Sequence, residues 1–295
     1  MFAHFNVGLM MLSAIISCCS CAQPAEPVVI SQAGEAVARV PLKPIVSRAI
    51  EVVTPSLQEP NAYYALNLWI SRLDQYLVYA EFSRNQRSFT WEVVPYERCS
   101  TMVGRVWQQL KVLWRITFGG WGLSEARANA VRDWYLQAPP AAQIQGVAGM
   151  GTAFSDPNVI QRQRIFEGQH VDVLYNYSPV TDVHLLIVPK QEHSRFTDLT
   201  REEYTETMQL VQHAVDALQL QNVFLMHKTG RDAGQTQRRW HLHAIATGSQ
   251  AEGWWGRLMV LKKILFGGSP LPPDELARRV QDLSRRMHPA VPAAA

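Results

Sequence analysis

A chain of 295 residues with 47% hydrophobic and 18% charged residues can pack a core, and its length suits about two domains. Its net charge of +3, without a long run of Lys and Arg, excludes a basic arm for nucleic-acid polymers. Cys18, Cys19 and Cys21 crowd the N-terminus and Cys99 stands alone, which argues against a disulfide framework and a Cys-based zinc site.

At the N-terminus, the apolar run from Val7 to Ile16 is too short to span a bilayer as a mature helix. It suits the apolar region of a secretory signal, and "IIS" before Cys18 resembles a bacterial lipoprotein processing site, although no Lys or Arg precedes the run. The expectation is a leader over residues 1–34 and an extracytoplasmic protein anchored to a membrane through a lipidated cysteine. The alternative is a buried N-terminal element of a cytoplasmic protein.

Leu66, Trp69, Ile70, Leu73 and Leu77 recur at helical spacing, which predicts an amphipathic helix over residues 61–78. Apolar runs follow around 77–81 and 88–95, the second alternating like a strand. Residues 138–158, rich in Ala, Pro and Gly, read as a linker. In the second half "VDVLYNYSP" and "DVHLLIVP" read as strands, and Thr200 with Glu203 forms a capping box. The helix it opens carries the stripe Tyr204, Met208, Val211, Val215 and Leu218. "NVFLMHK" and "RRWHLHAIAT" are two further strands around a Gly-containing turn.

The two halves echo each other. "LKVLWRITFGG" (Leu110–Gly120) matches "LMVLKKILFGG" (Leu258–Gly268) at seven of eleven positions, offset by 148 residues. The same offset pairs Val40-Pro41 with Val188-Pro189 and Leu123 with Leu271, while an offset of 149 pairs Trp91 with Trp240. Spacing kept at several places predicts a duplicated domain. In that register His241 faces Glu92, His243 faces Val94 and His184 faces Ala36, so the first copy lacks the histidines.

His241 and His243, at i and i+2 on a strand, point to one side, roughly 6–7 Å apart. That pair suits a metal site, a phosphate site or a purely structural role. No HExxH motif or cysteine cluster supplies further ligands, so a His-based metal protein is the weakest of the readings.

The wider context, "SPVTDVHLLIVPKQEH" followed by "GRDAGQTQRRWHLHAIA", resembles the histidine triad (HIT) family of nucleotide hydrolases and transferases. Ser178-Pro179, His184, Pro189-Lys190, Gly234-Gln235-Thr236 and His241-x-His243 fall in that family's order, over about residues 160–250. The resemblance implies an α+β fold with a HIT-like antiparallel sheet and helices. Members of that family usually pair as dimers that join their sheets, so the duplication read from the echo would give an internal pseudo-dimer in a monomer. The expected boundaries are a degenerate HIT-like domain at 35–137, the linker, the site-bearing domain at 159–250, and a C-terminal helical extension at 251–295.

A gapless alignment from Gln235 puts Arg239 at the first triad position, His241 at the nucleophile and His243 at the third. A two-residue insertion would instead make His243 the nucleophile. A neutral imidazole can attack an α-phosphate near neutral pH, giving a nucleotidyl-histidine that water or another acceptor resolves. The resemblance implies that Gly234, Gln235 and Thr236 offer donors to phosphate and that His184 lines the same pocket, with no cofactor and no obligatory metal. Lys228 stands where the family has an Asn, and Asn176 where it has an acidic ribose contact. Lys228, Arg231 and Arg239 would add positive charge beside the phosphates. The expected partner is a nucleotide or nucleoside phosphate. The alternative is a non-catalytic nucleotide- or phosphate-binding protein with an eroded site.

Overall fold

The computed structural model describes residues 26–84, 86, 88–141, 150–248, 260, 262–264 and 268–288. Ten strands form one sheet, with β1 Val28–Ala33, β2 Ala36–Val40, β3 Ile50–Thr54, β4 Tyr76–Ser83 and β5 Phe89–Pro95 in the first half. The second half supplies β6 Arg164–Glu167, β7 Val171–Tyr175, β8 His184–Pro189, β9 Asn222–Thr229 and β10 Leu242–Ala246. The order is β1-β2-β3-β5-β4-β9-β10-β8-β7-β6, with every neighbouring pair antiparallel. The helices are α1 Pro60–Ile70, α2 Met102–Phe118, α3 Glu125–Gln137, α4 Pro157–Gln163, α5 Arg201–Ala217 and α6 Pro273–Met287. Helices and an antiparallel sheet in one fold match the α+β class expected of the sequence.

Local chemistry explains the elements. In β5, Phe89, Trp91 and Val93 are buried while Thr90 and Glu92 between them are less so, the period-2 signature of a strand with two different faces. β8 is buried along its whole length, so it reads as an unbroken apolar run. The Thr200 hydroxyl accepts from the Glu203 N–H at 3.1 Å and the Glu203 carboxylate accepts from the Thr200 N–H at 2.8 Å, so the capping box starts α5 where the sequence places it.

The predicted 61–78 helix ends early, at Ile70. Leu77 lies on β4, whose aromatic and β-branched residues pair with both β5 and β9; sheet partners distant in sequence override a helical period. The sheet also begins at Val28, inside the stretch read as a leader. The apolar run at 7–16 and Cys18 lie outside the described residues.

One sheet face packs against α1, α3, α5 and α6, burying Trp69, Tyr135, Tyr204 and Met208 with Trp91 and Trp240. The opposite face of the central strands is covered in the first half by Val112 and Leu113 of α2, over Leu77, Tyr79, Val94, Phe224, Met226 and Ile245. Toward β7 and β8 that face carries Leu174, Leu186 and Val188 beneath Phe154. Between these two apolar patches the surface is open.

The halves repeat one order of elements about the β4–β9 pair: β5 and β10 flank it, then β3 and β8, β2 and β7, β1 and β6. α3 packs on β1 as α6 packs on β6. Contacts made by the echoing segments repeat as well. The Leu123 N–H donates to the Leu42 carbonyl at 3.3 Å, and the Leu271 N–H to the Tyr177 carbonyl at 2.9 Å. The Arg115 guanidinium reaches the Ile45 carbonyl, and the Lys263 ammonium the Val180 carbonyl. A Cβ on Gly120 would run into the backbone of Lys43 and Pro44, and one on Gly268 into that of Ser178 and Pro179. Part of Leu258–Gly268 itself lies outside the described residues.

Two pairings expected from a constant offset do not hold. β8 occupies the place of β3, not of β2, so His184 does not correspond to Ala36, nor Val188-Pro189 to Val40-Pro41. Val93 lies opposite Ile50 as Leu242 lies opposite Ile187, which puts the residue matching His184 before the start of β3. The offset shifts because the second half is longer between its third and fourth strands: α5 has 17 residues and α1 only 11, and the connection from β8 at Pro189 to α5 at Arg201 is longer than that from β3 at Thr54 to α1 at Pro60. The C-terminal helix α6, expected as an extension, packs on the sheet at β6 as α3 does at β1.

Candidate active site

The open region between the two patches is a cleft of about 580 Å³, lined by His184, Lys228, Gly234, Gln235, Thr236, His241, His243 and Asn176 among others. That volume falls within the range of ligand sites. Every sequence-predicted site residue but Arg239 lines it. Strand pairing brings the three histidines together: His243 sits opposite Leu186 and Ile245 opposite His184, so β8 and β10 carry them side by side.

The hydrogen bonds assign the tautomers. The Val180 N–H donates to His184 Nδ1 at 3.3 Å, and the Asn176 amide, held by the Ser178 N–H at its oxygen, points its NH2 at the same ring. His184 Nδ1 is therefore an acceptor and the proton sits on Nε2, which donates to His243 Nδ1 at 2.9 Å. His243 in turn carries its proton on Nε2. His241 Nδ1 lies 2.9 Å from the Arg239 carbonyl oxygen, which only accepts, so Nδ1 is protonated and Nε2 keeps its lone pair. The sequence left open which histidine is the nucleophile. His243 Nδ1 is committed to His184, whereas His241 has an unprotonated nitrogen and stacks edge-on against Phe154 at 5.0 Å.

Burial keeps these rings neutral. It pushes His241 down to about 4, with the Arg239 carbonyl opposing and Lys228 adding repulsion. His184 falls to about 3 by burial and repulsion from His241, and His243 lies well below the ordinary value for the same reasons, with burial the larger cause. Burial also lowers Lys228 to about 8, leaving it largely protonated at neutral pH. A cation beside neutral imidazoles suits an anionic ligand.

Other expectations are corrected. Arg239 turns out of the cleft and donates to the carbonyls of Phe154, Pro189 and Lys190, pinning the 153–155 turn to the end of β8. Its charge is committed there, while its own carbonyl orients His241. The Gly234 and Gln235 N–H groups are not free for phosphate: they donate to the Arg231 and Gly230 carbonyls, closing the turn at 3.1 Å each. Gly234 adopts φ +87°, the conformation this turn requires of it. The Gln235 amide braces the same loop from within, accepting from the Gly230 N–H and donating to carbonyls of Gln237 and Ser194. Thr236 has no such commitment of hydroxyl or amide among the described residues and lines the cleft, so it remains the candidate donor of the three. Asn176 lines the cleft, but its amide is spent on Ser178 and His184.

Sequence reading missed Phe154, Met226, Tyr177 and Lys263 as lining residues. Phe154 arrives on a segment read as linker: the Gly151 N–H donates to the Thr236 carbonyl and the Gly151 carbonyl accepts from the Arg238 N–H, both at 2.9 Å, clipping it over the site. Lys263 carried one signal, its place in the echo opposite Arg115.

Residues 158–250 match the family model described as HIT domain. Over 101 residues the chain is 30% identical to a bis(5'-adenosyl)-triphosphatase of Dictyostelium discoideum, a match covering 32% of this chain and 68% of that protein. The chain belongs to the HIT family. It is also 32% identical over 100 residues to the nitrilase and fragile histidine triad fusion protein NitFhit of Caenorhabditis elegans, spanning only 22% of that protein's length and 32% of its own. Among solved structures, an ADP-glucose phosphorylase from Arabidopsis thaliana with bound ADP-glucose aligns over 84% of this HIT chain and 82% of its own, at 13% identity and TM-score 0.45. A HIT-like protein from Bartonella henselae aligns over 48% of this chain and 99% of its own, at 18% identity and TM-score 0.38.

Proposed function

We propose that this protein is a nucleotide hydrolase or nucleotidyltransferase working through a nucleotidyl-histidine at His241. Membership of the HIT family supports a nucleotide-related activity. The observation that carries the finer reading is the state of His241: Nδ1 held by a backbone carbonyl, Nε2 unprotonated and the ring neutral. Such a nitrogen can attack the α-phosphorus of a bound nucleotide. As the P–N bond forms, the bond from phosphorus to the leaving group breaks and the electron pair departs with that group. His243 Nε2–H is the proton donor the relay from Val180 through His184 leaves available, and Lys228 offers charge to the non-bridging oxygens. Water or a second acceptor then cleaves the P–N bond and restores the neutral imidazole.

The first half supports the pairing of a working site with a structural copy. Glu92 and Val94 stand where the second half has His241 and His243, and α2 fills the surface over Val94, Leu77 and Tyr79. On this reading the halves descend from one duplicated unit, the first retained to complete the sheet, giving one nucleotide site in a monomer.

The test is incubation with a labelled nucleoside phosphoramidate followed by peptide mapping. Label on His241, lost in His241→Ala while nucleoside monophosphate still binds within a few-fold, is the expected result. Label on His243 would replace the gapless register with the insertion register. Binding without any label would leave the non-catalytic reading in its place.

A further inference from the structure

Helix α2 has two faces of opposite use. Val112 and Leu113 are buried against the sheet. The outward stripe, which ought to be polar on a helix surrounded by water, instead carries Met102, Val103, Trp107 and Trp114, exposed at 75%, 79%, 59% and 60%, and continues to Trp121 at 71%. Spacings of four and seven along Val103, Trp107 and Trp114 align these side chains on one side. Tryptophan exposed to this extent, repeated in one stripe, marks a surface that meets something apolar.

Charge narrows the occupant. From Thr101 to Ser124 there is no Asp or Glu, and the cations are Arg105, Lys111 and Arg115. Arg105 is paired with Asp232 and Arg115 is bound to the Ile45 carbonyl, but Lys111 is exposed within the stripe, its ammonium 5.3 Å from the Trp107 ring. A second copy of the chain is disfavoured. A two-fold axis through the middle of the stripe, parallel or perpendicular to the helix, would set Lys111 against its own counterpart in a dry contact. An anionic lipid headgroup layer has the opposite preference: it accepts Lys at the level of phosphates while indole rings settle at the polar–apolar boundary.

We propose that α2 docks this protein on the surface of an anionic lipid bilayer, lying in the interface with Trp107, Trp114 and Trp121 inserted and Lys111 among the headgroups. No helix among the described residues is long and apolar enough to cross a membrane, and on this proposal α2 lies on the bilayer. α2 sits on the same sheet face as the cleft. Arg105 meets Asp232 at 2.7 Å and the Gln109 amide donates to the Asp232 carbonyl at 3.0 Å, so the docked helix is tied to the loop that carries Gly234 to Thr236.

The test is co-sedimentation of the full chain with vesicles of phosphatidylcholine alone and of phosphatidylcholine mixed with phosphatidylglycerol, with tryptophan emission read in parallel. Wild type should sediment with the anionic vesicles and shift its emission to the blue, with salt weakening both. Trp107→Gln combined with Trp114→Gln should reduce partitioning by about tenfold or more, and Lys111→Glu should reduce it for anionic vesicles selectively. Both positions are exposed, so circular dichroism should be unchanged. Equal partitioning of the double variant and wild type would overturn the proposal, since attachment would then run through another part of the chain. So would a wild-type dimer in size-exclusion chromatography that the double variant converts to monomer, or capture by an acidic protein without any vesicle binding.

Discussion

Lowering the pH from 6.5 to 5 is expected to remove a large part of this protein's stability, because its buried histidines are neutral. His184 and His227 are held near 3 and His241 near 4, all chiefly by burial, against 6.5 in the unfolded chain. Within this window the unfolded state binds protons that the native state refuses, so stability rises with pH and falls as pH is lowered below 6.5. Each such group costs about 1.4 kcal/mol per pH unit, hence about 2 kcal/mol at pH 5 and about 6 kcal/mol for the three. That is comparable with the whole stability of an ordinary domain. His227 isolates the effect, because it lies away from the cleft. It stacks on Phe196 at 5.4 Å, packs edge-on against Tyr76, and leaves both ring nitrogens without hydrogen-bond partners among the described residues. His227→Phe should therefore be neutral or stabilising at pH 7 and should cut the loss between pH 6.5 and 5 by about 2 kcal/mol. Urea unfolding followed by circular dichroism at several pH values gives both numbers. A stability that stays flat between pH 6.5 and 5, or a slope unchanged by His227→Phe, would refute the assignment of buried neutral imidazoles.

The same protonation states predict an activity profile with an acid limb only below about pH 5, because neutral His241 is lost as pH falls through about 4, and a basic limb near 8 as Lys228 loses its charge. Initial kcat/KM on protein verified as folded at each pH would show it, and an acid limb centred near 6.5 would contradict it. Arg239→Met should destabilise the chain by about 2–3 kcal/mol in urea, because three carbonyls lose a charged donor, while nucleoside monophosphate affinity stays within about threefold. A large affinity loss at unchanged stability would return Arg239 to the phosphate site.

What the sequence determined by itself is whatever depends on short-range pattern. The capping box at Thr200, the alternation of Phe89, Trp91 and Val93, and the apolar run of β8 are each set by neighbours a few residues away, and the structure places them as read. The order of Ser178-Pro179, His184, Gly234-Gln235-Thr236 and His241-x-His243 belongs to the same class, since a turn and two strands fold locally around those residues. Only the tertiary structure decided which strand answers which between the halves, because the longer α5 and the longer connection that precedes it break any constant offset. It also decided that Leu77 belongs to a strand, where β5 and β9 supply partners that no local window contains. It turned Arg239 away from the cleft toward three carbonyls, and it set the Gly234 and Gln235 N–H groups to closing their own turn. The different hydrogen-bonding states of His241 and His243 were decided in the same way. A side chain's free nitrogen depends on which carbonyl or ring stands within about 3 Å of the other one, and the partners here, His184 and the Arg239 carbonyl, meet the two rings only once β8 and β10 lie side by side and the chain enters β10.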